Sequence, residues 1–319
     1  MELNVDILIF AIFLATTLVV GIAYGGNAKS LREYALGGKN FSTPVLVATI
    51  VATWFGGGSF VRGLEKTYSL GLYYNLPLVG IAIGLYLSGL LATRMKEFMN
   101  HVSVAEAIGS MYGSAAQVIT AVSGATAKLG AVAIQFKVMS RILVILLDIE
   151  SGLATAIAAV IVITYSSLGG IRAVTFTDIV QFFTFATLIP MLSLIIWGSF
   201  GASNPFPGTL ATNPNFNINT VVSWDSRFLS SVSLFLYFAT PALYTPELFQ
   251  RIAMARGVTQ AKKALITAAG ISLLVSCLIS CLGILILVDN PNLELHQIIG
   301  YTVNILAYVG LKGLIGIGV

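Results

Sequence analysis

Three ionisable side chains, Lys128, Asp178 and Glu247, fall within long apolar stretches of this sequence. A charge in hydrocarbon is costly, so such groups pair with one another or face a water-filled cavity. Lys128 and Glu247 have opposite signs, and an ion pair across a central cavity would keep both charged. Alternatively, Lys128 holds the carboxylate of a bound solute. Asp178 either caps a helix or pairs with Arg172, six residues earlier; Gln181, one turn on, either packs or supports it. Lys137 and Arg141 are read as snorkelling to an interface.

Two stretches could expose the backbone as well. In "ATIVATWFGGGSFVRG" (48–63), Gly56, Gly57 and Gly58 stand beside Thr53 and Ser59. Three successive glycines exceed what close helix packing needs, which predicts unwinding. In 228–249, Pro241 and Pro246 lie amid Thr240, Tyr244, Thr245 and Glu247. Proline lacks the amide donor and clashes with the preceding turn, so this segment should break too. Trp54, Tyr244 and Tyr237 border the two breaks. Their faces could cage a quaternary ammonium by cation–π attraction, or serve as packing and interfacial anchors. The glycines do not form a phosphate loop, because no Gly-Lys-Ser/Thr ending follows.

Cys277 and Cys281 lie four apart, on one face of a helix, and read as small buried core residues. His101 and His296 fall far apart in loops. No metal set or nucleophile–base pair appears in this pattern, so an enzyme is not expected and no cofactor is implied.

The positioning elements are membrane helices. Hydrophobic residues make up 57% of the 319 and charged residues 9%, where a soluble domain carries roughly a quarter. Mean hydropathy is +0.91. Eight apolar spans fall roughly at 5–24, 43–63, 68–93, 115–147, 151–168, 174–199, 228–249 and 264–288, with a ninth beginning near 301. The first lacks the basic start and cleavage site of a signal peptide and is read as retained. The fold class is therefore an all-α polytopic membrane protein. The Asn- and Pro-rich segment 201–227 predicts an irregular loop outside the bilayer.

The basic residues report topology, not a nucleic-acid footprint. With the N-terminus outside, ten of them (Lys29, Arg32, Lys39, Arg94, Lys96, Arg172, Arg251, Arg256, Lys262, Lys263) fall in cytoplasmic loops. Four (Arg62, Lys66, Arg141, Arg227) fall opposite. With the first span peripheral, the Gly-broken span is core helix one and the Pro-broken span core helix six. Interrupted helices at matching positions in two halves mark the site of an inverted-repeat transporter. The expected organisation is an extra helix and linker (1–42), a first five-helix repeat (43–200), an extracellular loop (201–227) and a partial second repeat (228–319).

"YALGGKN", "ATWFGGGS", "SSLGGIRAVTFTDIVQFF" and "FQRIAMARGVTQAKKA" occur in that order. Together they resemble the sodium:solute symporter family, and "ATWFGGG" is most similar to its choline-transporter-like branch; "TPEL" before "FQR" departs from that branch's aromatic-rich stretch. The resemblance covers essentially the whole chain. It implies a LeuT-like fold of inverted repeats and Na⁺-driven uptake of a small organic solute across the plasma membrane (the inner membrane in a bacterium). It also implies that the backbone carbonyls of Ala52 and Phe55 bind Na⁺. Unwound carbonyls can replace the water shell of a hard cation, so no acidic residue is required there. Asp178 would lie on the sodium exit route. Trp54, Gly56, Gly57, Lys128, Tyr244 and Glu247 are the candidates to line the solute cavity.

The family's second set of sodium ligands, hydroxyls on core helix eight, would fall beyond Val319. The expectation is a fragment of a longer transporter, or a truncated, non-transporting remnant or sensor that keeps the fold. The isolated chain is then not expected to accumulate solute. A channel reading lacks a repeated filter motif.

Overall fold

The computed structural model describes residues 5–25, 30–200, 205–304 and 312–313. Lys29 and most of the ninth apolar stretch lie outside these described residues. Helix α1 is Val5–Gly25, and a short α2, Leu31–Leu36, follows. Next come α3 (Thr43–Trp54) and α4 (Gly57–Leu70), bent by 52° at their junction. Pro44 is tolerated in the first turn of α3, where its missing N–H has no helical partner to lose. Helix α5 is Leu72–Leu91, the amphipathic α6 is Val104–Tyr112, and α7 is Ser114–Leu147.

The two spans expected at 151–168 and 174–199 join in α8, Ser151–Ser199, broken at Gly170. Gly170 has a φ of +54°, and a Cβ there would lie 2.8 Å from the Tyr34 ring and carbonyl. Both constraints call for glycine. The Tyr34 hydroxyl donates to the carbonyls of Ser166 and Ser167 at 3.0 and 2.9 Å. It thereby serves carbonyls that the break deprives of helical donors.

The segment 201–227 is not irregular where it is described. It folds into α9 (Phe206–Thr212), a 3₁₀ turn (Pro214–Phe216) and α10 (Ile218–Val221). The side chains of Asn213 and Asn217 accept from amides two residues on, at 3.0 Å each. The asparagines that suggested a loop are in fact caps. This segment sits over the α4–α5 corner, where Asn215 Nδ2 donates to the Ser69 carbonyl at 3.1 Å.

Helix α11, Ser226–Ala239, starts on Asp225, whose carboxylate accepts from the Phe228 amide at 2.8 Å. It stops before Pro241, and α12, Pro246–Ala253, starts on the second proline. Six residues, 240–245, lie between them. The expected second break is present. Helices α13 (Val258–Asp289) and α14 (Ile298–Asn304) follow.

Four described helical stretches are long and apolar enough to cross a membrane, and the bent α3–α4 pair makes a fifth. Helix α13 packs against α3, α4, α5 and α8. Its inner face carries small residues, including Ala264, Ala268 and Ser272, all buried. Cys277 and Cys281 share a face as expected, but it is the exposed one. Ser276, Ile279 and Ser280 occupy the packed face instead.

Helix α5 lies against α11 through Gly84, where a Cβ would come within 2.1 Å of the Phe238 carbonyl. That approach fixes where α11 ends and the second break begins. Because the obstacle is backbone, Gly84→Leu should destabilise the fold by roughly 1–3 kcal/mol, read as a lowered Tm in detergent. Gly198→Leu should leave Tm nearly unchanged, since nothing lies within 4 Å of a Cβ there.

Candidate functional site

The first break is shorter than the glycine run. Only Phe55 and Gly56 leave the helix; Gly57 and Gly58 form the first turn of α4. The Phe55 amide still donates to the Val51 carbonyl at 2.9 Å. On the far side, Ser59 and Phe60 amides both donate to the Gly56 carbonyl, at 2.8 and 3.0 Å. The Gly58 amide turns to Gln135 Oε1 of α7 at 3.1 Å. No backbone amide donates to the carbonyls of Ala52, Thr53, Trp54 or Phe55 among the described residues; Thr53 and Trp54 are half-buried, and Ala52 and Phe55 lie deeper. Both residues are buried, at 4% and 3% exposure. Buried carbonyls are nearly always paired, so these two are available acceptors.

Beside this break lies a cavity of about 250 Å³, walled by α3, α4, α5, α7, α11, α13 and the 240–247 segment. Its lining includes Thr53, Trp54, Phe55, Arg62, Lys128, Tyr237, Tyr244 and Glu247. Gly56 and Gly57 do not line it. Lys128 Nζ donates to Glu247 Oε1 at 2.6 Å, closing the pair the sequence suggested between core helices three and six. Two buried polar atoms at the cavity have no partner: Trp54 Nε1 and Glu247 Oε2. Such orphans are uncommon, and here they fall on one donor and one acceptor at the same cavity.

Asp178 does not line this cavity. Its Oδ2 accepts from Arg251 Nη2 at 2.7 Å and from the Thr49 hydroxyl. Arg251 also reaches the Thr53 hydroxyl with Nε and Nη2, each at 3.3 Å, and Thr53 donates to the Thr49 carbonyl at 2.6 Å. One network therefore ties α8 and α12 to α3, just before its break. Asp178 pairs with neither Arg172 nor Gln181, and it sits within α8 rather than at a cap. Arg172 pairs instead with Glu33 at 3.3 Å.

Arg251, assigned from the sequence to a cytoplasmic loop, is 6% exposed. Helix α12 is only eight residues long, and Leu248, Phe249, Ile252 and Ala253 are buried around it. The available signal was that "FQR" continues an amphipathic helix toward an unmatched interior aspartate. Arg141 does not merely snorkel; it pairs with Glu65 at 3.6 Å, whereas Lys137 is exposed.

The segment before α3 is strapped to the same elements. Gln250 Nε2 donates to the Ala35 carbonyl at 2.9 Å, and Gln260 Nε2 to the Phe41 carbonyl at 3.0 Å. Lys39 Nζ donates to the Met99 carbonyl at 2.9 Å. Burial, with the Arg32 charge nearby, holds the Lys39 pKa below its usual value. No group of three or more metal-ligating side chains occurs among the described residues.

The fold recurs in a solved structure. A Na⁺-coupled sialic acid symporter in its substrate-bound, outward-open state superposes with a TM-score of 0.82, over 98% of this chain and 69% of that one, at 18% identity. The fold is LeuT-like. Among curated proteins, the high-affinity choline transporter 1 of Caenorhabditis elegans is 29% identical over 185 residues, 54% of this chain and 32% of that protein. That of Torpedo marmorata is 24% identical over 279 residues, 82% of this chain and 47% of that protein. The sodium/pantothenate symporter of Escherichia coli (strain K12) is 28% identical over 158 residues, 47% of this chain and 32% of that protein.

The chain is similar to these transporters of the sodium:solute symporter family. The expectation of a transporter rather than an enzyme agrees with these relatives, all named for transport. The matched segments span about a third to a half of the curated relatives' length. No protein-family model matches the chain.

The buried pair makes a stability prediction. Arg251→Met should cost roughly 3–5 kcal/mol, because it leaves the Asp178 carboxylate buried without its counter-charge. Adding Asp178→Asn should recover more than half of that loss in denaturation measurements. Additive losses would mean that the two groups do not act as a pair.

Proposed function

We propose that the chain forms the site-bearing part of a Na⁺-coupled symporter for a small organic solute. The two breaks form its midplane site, and access alternates about them. Na⁺ is the coupling ion, held in part by the Ala52 and Phe55 carbonyls. Asp178, beneath the break and paired to Arg251, lies on the route by which Na⁺ leaves toward the cytoplasm. The protein resides in the plasma membrane, or the inner membrane of a bacterium, with its N-terminus outside, in the orientation favoured by the basic loops.

One observation carries this reading. Two buried, unpartnered carbonyls lie at the same break whose residues Thr53, Trp54 and Phe55 wall a polar cavity. A cation on those carbonyls holds the Phe55–Gly56 turn in one geometry, and that turn positions the cavity wall. Ion and solute are thus linked through shared backbone, and the linkage is reciprocal. A second support is the family of relatives, which includes symporters named for Na⁺ coupling.

The linkage is measured by titrating the purified chain with solute in Na⁺ and in K⁺ at equal ionic strength. Na⁺ should tighten solute binding by roughly 5–150-fold. Equal affinity in the two salts would contradict Na⁺ coupling at this site.

A further inference from the structure

The charges around the cavity do not cancel. Arg62, Lys128 and Glu247 are the lysine, arginine and acidic residues of its lining. Lys128 and Glu247 neutralise each other at 2.6 Å. Arg62 has no ion pair or hydrogen bond among the described residues. Its nearest acidic neighbour in sequence, Glu65, is engaged by Arg141, and the interior Asp178 is engaged by Arg251. The cavity wall therefore carries one net positive charge, on the Arg62 guanidinium.

The unpartnered atoms add a pattern to that charge. Trp54 Nε1 is a donor without an acceptor. Together with the Arg62 guanidinium it offers N–H groups that a carboxylate can accept. Glu247 Oε2 is an acceptor without a donor. It calls for a hydroxyl or amide N–H on the same solute. A quaternary ammonium group offers Arg62 and Trp54 no acceptor, the single hydroxyl of choline cannot neutralise a guanidinium, and the cation would meet a net positive wall. The aromatic faces of Tyr74, Tyr237 and Tyr244 then serve as apolar surface rather than as a cation cage.

We infer that the solute is a small organic carboxylate bearing hydroxyl or amide groups, with Arg62 docking its carboxylate. Trp54 Nε1 donates to the same carboxylate or to a neighbouring oxygen, and Glu247 Oε2 accepts from the solute's hydroxyl or amide. The inference rests on the cavity being the solute site, and it departs from the choline relatives. Its basis is charge: those relatives are named for a cation, whereas this cavity presents an unmatched arginine.

The test uses the full chain in detergent, with Trp197→Phe and Trp224→Phe so that Trp54 is the sole remaining indole of three. Its fluorescence is titrated in Na⁺ with pantothenate and gluconate, with their uncharged counterparts panthenol and sorbitol, and with choline. At least one carboxylate should change the signal saturably, at least tenfold tighter than its uncharged counterpart. Arg62→Gln should abolish that preference, and Arg62→Lys should retain part of it. Arg62 is exposed, so both variants should melt like the parent.

If choline saturates the signal and neither carboxylate does, the carboxylate assignment falls while the cavity remains a solute site. An undiminished carboxylate preference in Arg62→Gln overturns the role of Arg62. If no probe of any charge binds, the inference falls together with the reading of the cavity on which it rests.

Discussion

Inside a bilayer, every backbone amide and carbonyl must find its partner within the protein. The rest of this structure depends on that constraint. A helix can come apart at Phe55–Gly56 only because Val51, Ser59, Phe60 and Gln135 take up most of the polar groups that the break releases. Among the groups left over are the carbonyls of Ala52 and Phe55, the two buried residues at the end of α3. The proposed cation site rests on this subtraction: it uses carbonyls that the break leaves without a helical donor.

The side chains repeat the logic. Asp178 would be intolerable alone, and Arg251 equally so, but together with Thr49 and Thr53 they join three helices around the C-terminal half of α3. Through the hydroxyls of Thr53 and Thr49, the pair links α12, beyond the second break, to α3, before the first. A shift of α12 would therefore pull on the residues that precede the unwound turn. Above this network the cavity keeps one pair closed, Lys128 with Glu247, and leaves Arg62 and Trp54 Nε1 without partners. Closed interactions hold the walls, and unmatched ones face the cavity.

Much of this was legible in the residues. Pro241 and Pro246 located the second break because proline's missing donor acts locally. Opposite charges in apolar stretches foretold the Lys128–Glu247 contact because few other partners exist there. What was not legible depended on long-range packing. Gly57 and Gly58 were expected to unwind, yet Gln135 of α7 caps that turn and helix resumes at once. Arg251 was assigned to a loop because positive charge near a span's end usually means an interface; only the burial of α12 shows that it turns inward. The asparagines of 201–227 read as loop formers and proved to be caps, since composition reports turn chemistry without counting turns. Cys277 and Cys281 shared a face, but periodicity could not say which face of α13 its neighbours cover.

The central claim is that Na⁺ binds at the unwound turn between α3 and α4. Hydrogen–deuterium exchange of the purified chain, compared in NaCl and KCl at equal ionic strength, addresses it most directly. Peptides covering 48–63 should exchange more slowly in Na⁺, with protection centred on the amides next to Phe55 and Gly56. Identical exchange of those peptides in the two salts would contradict the claim.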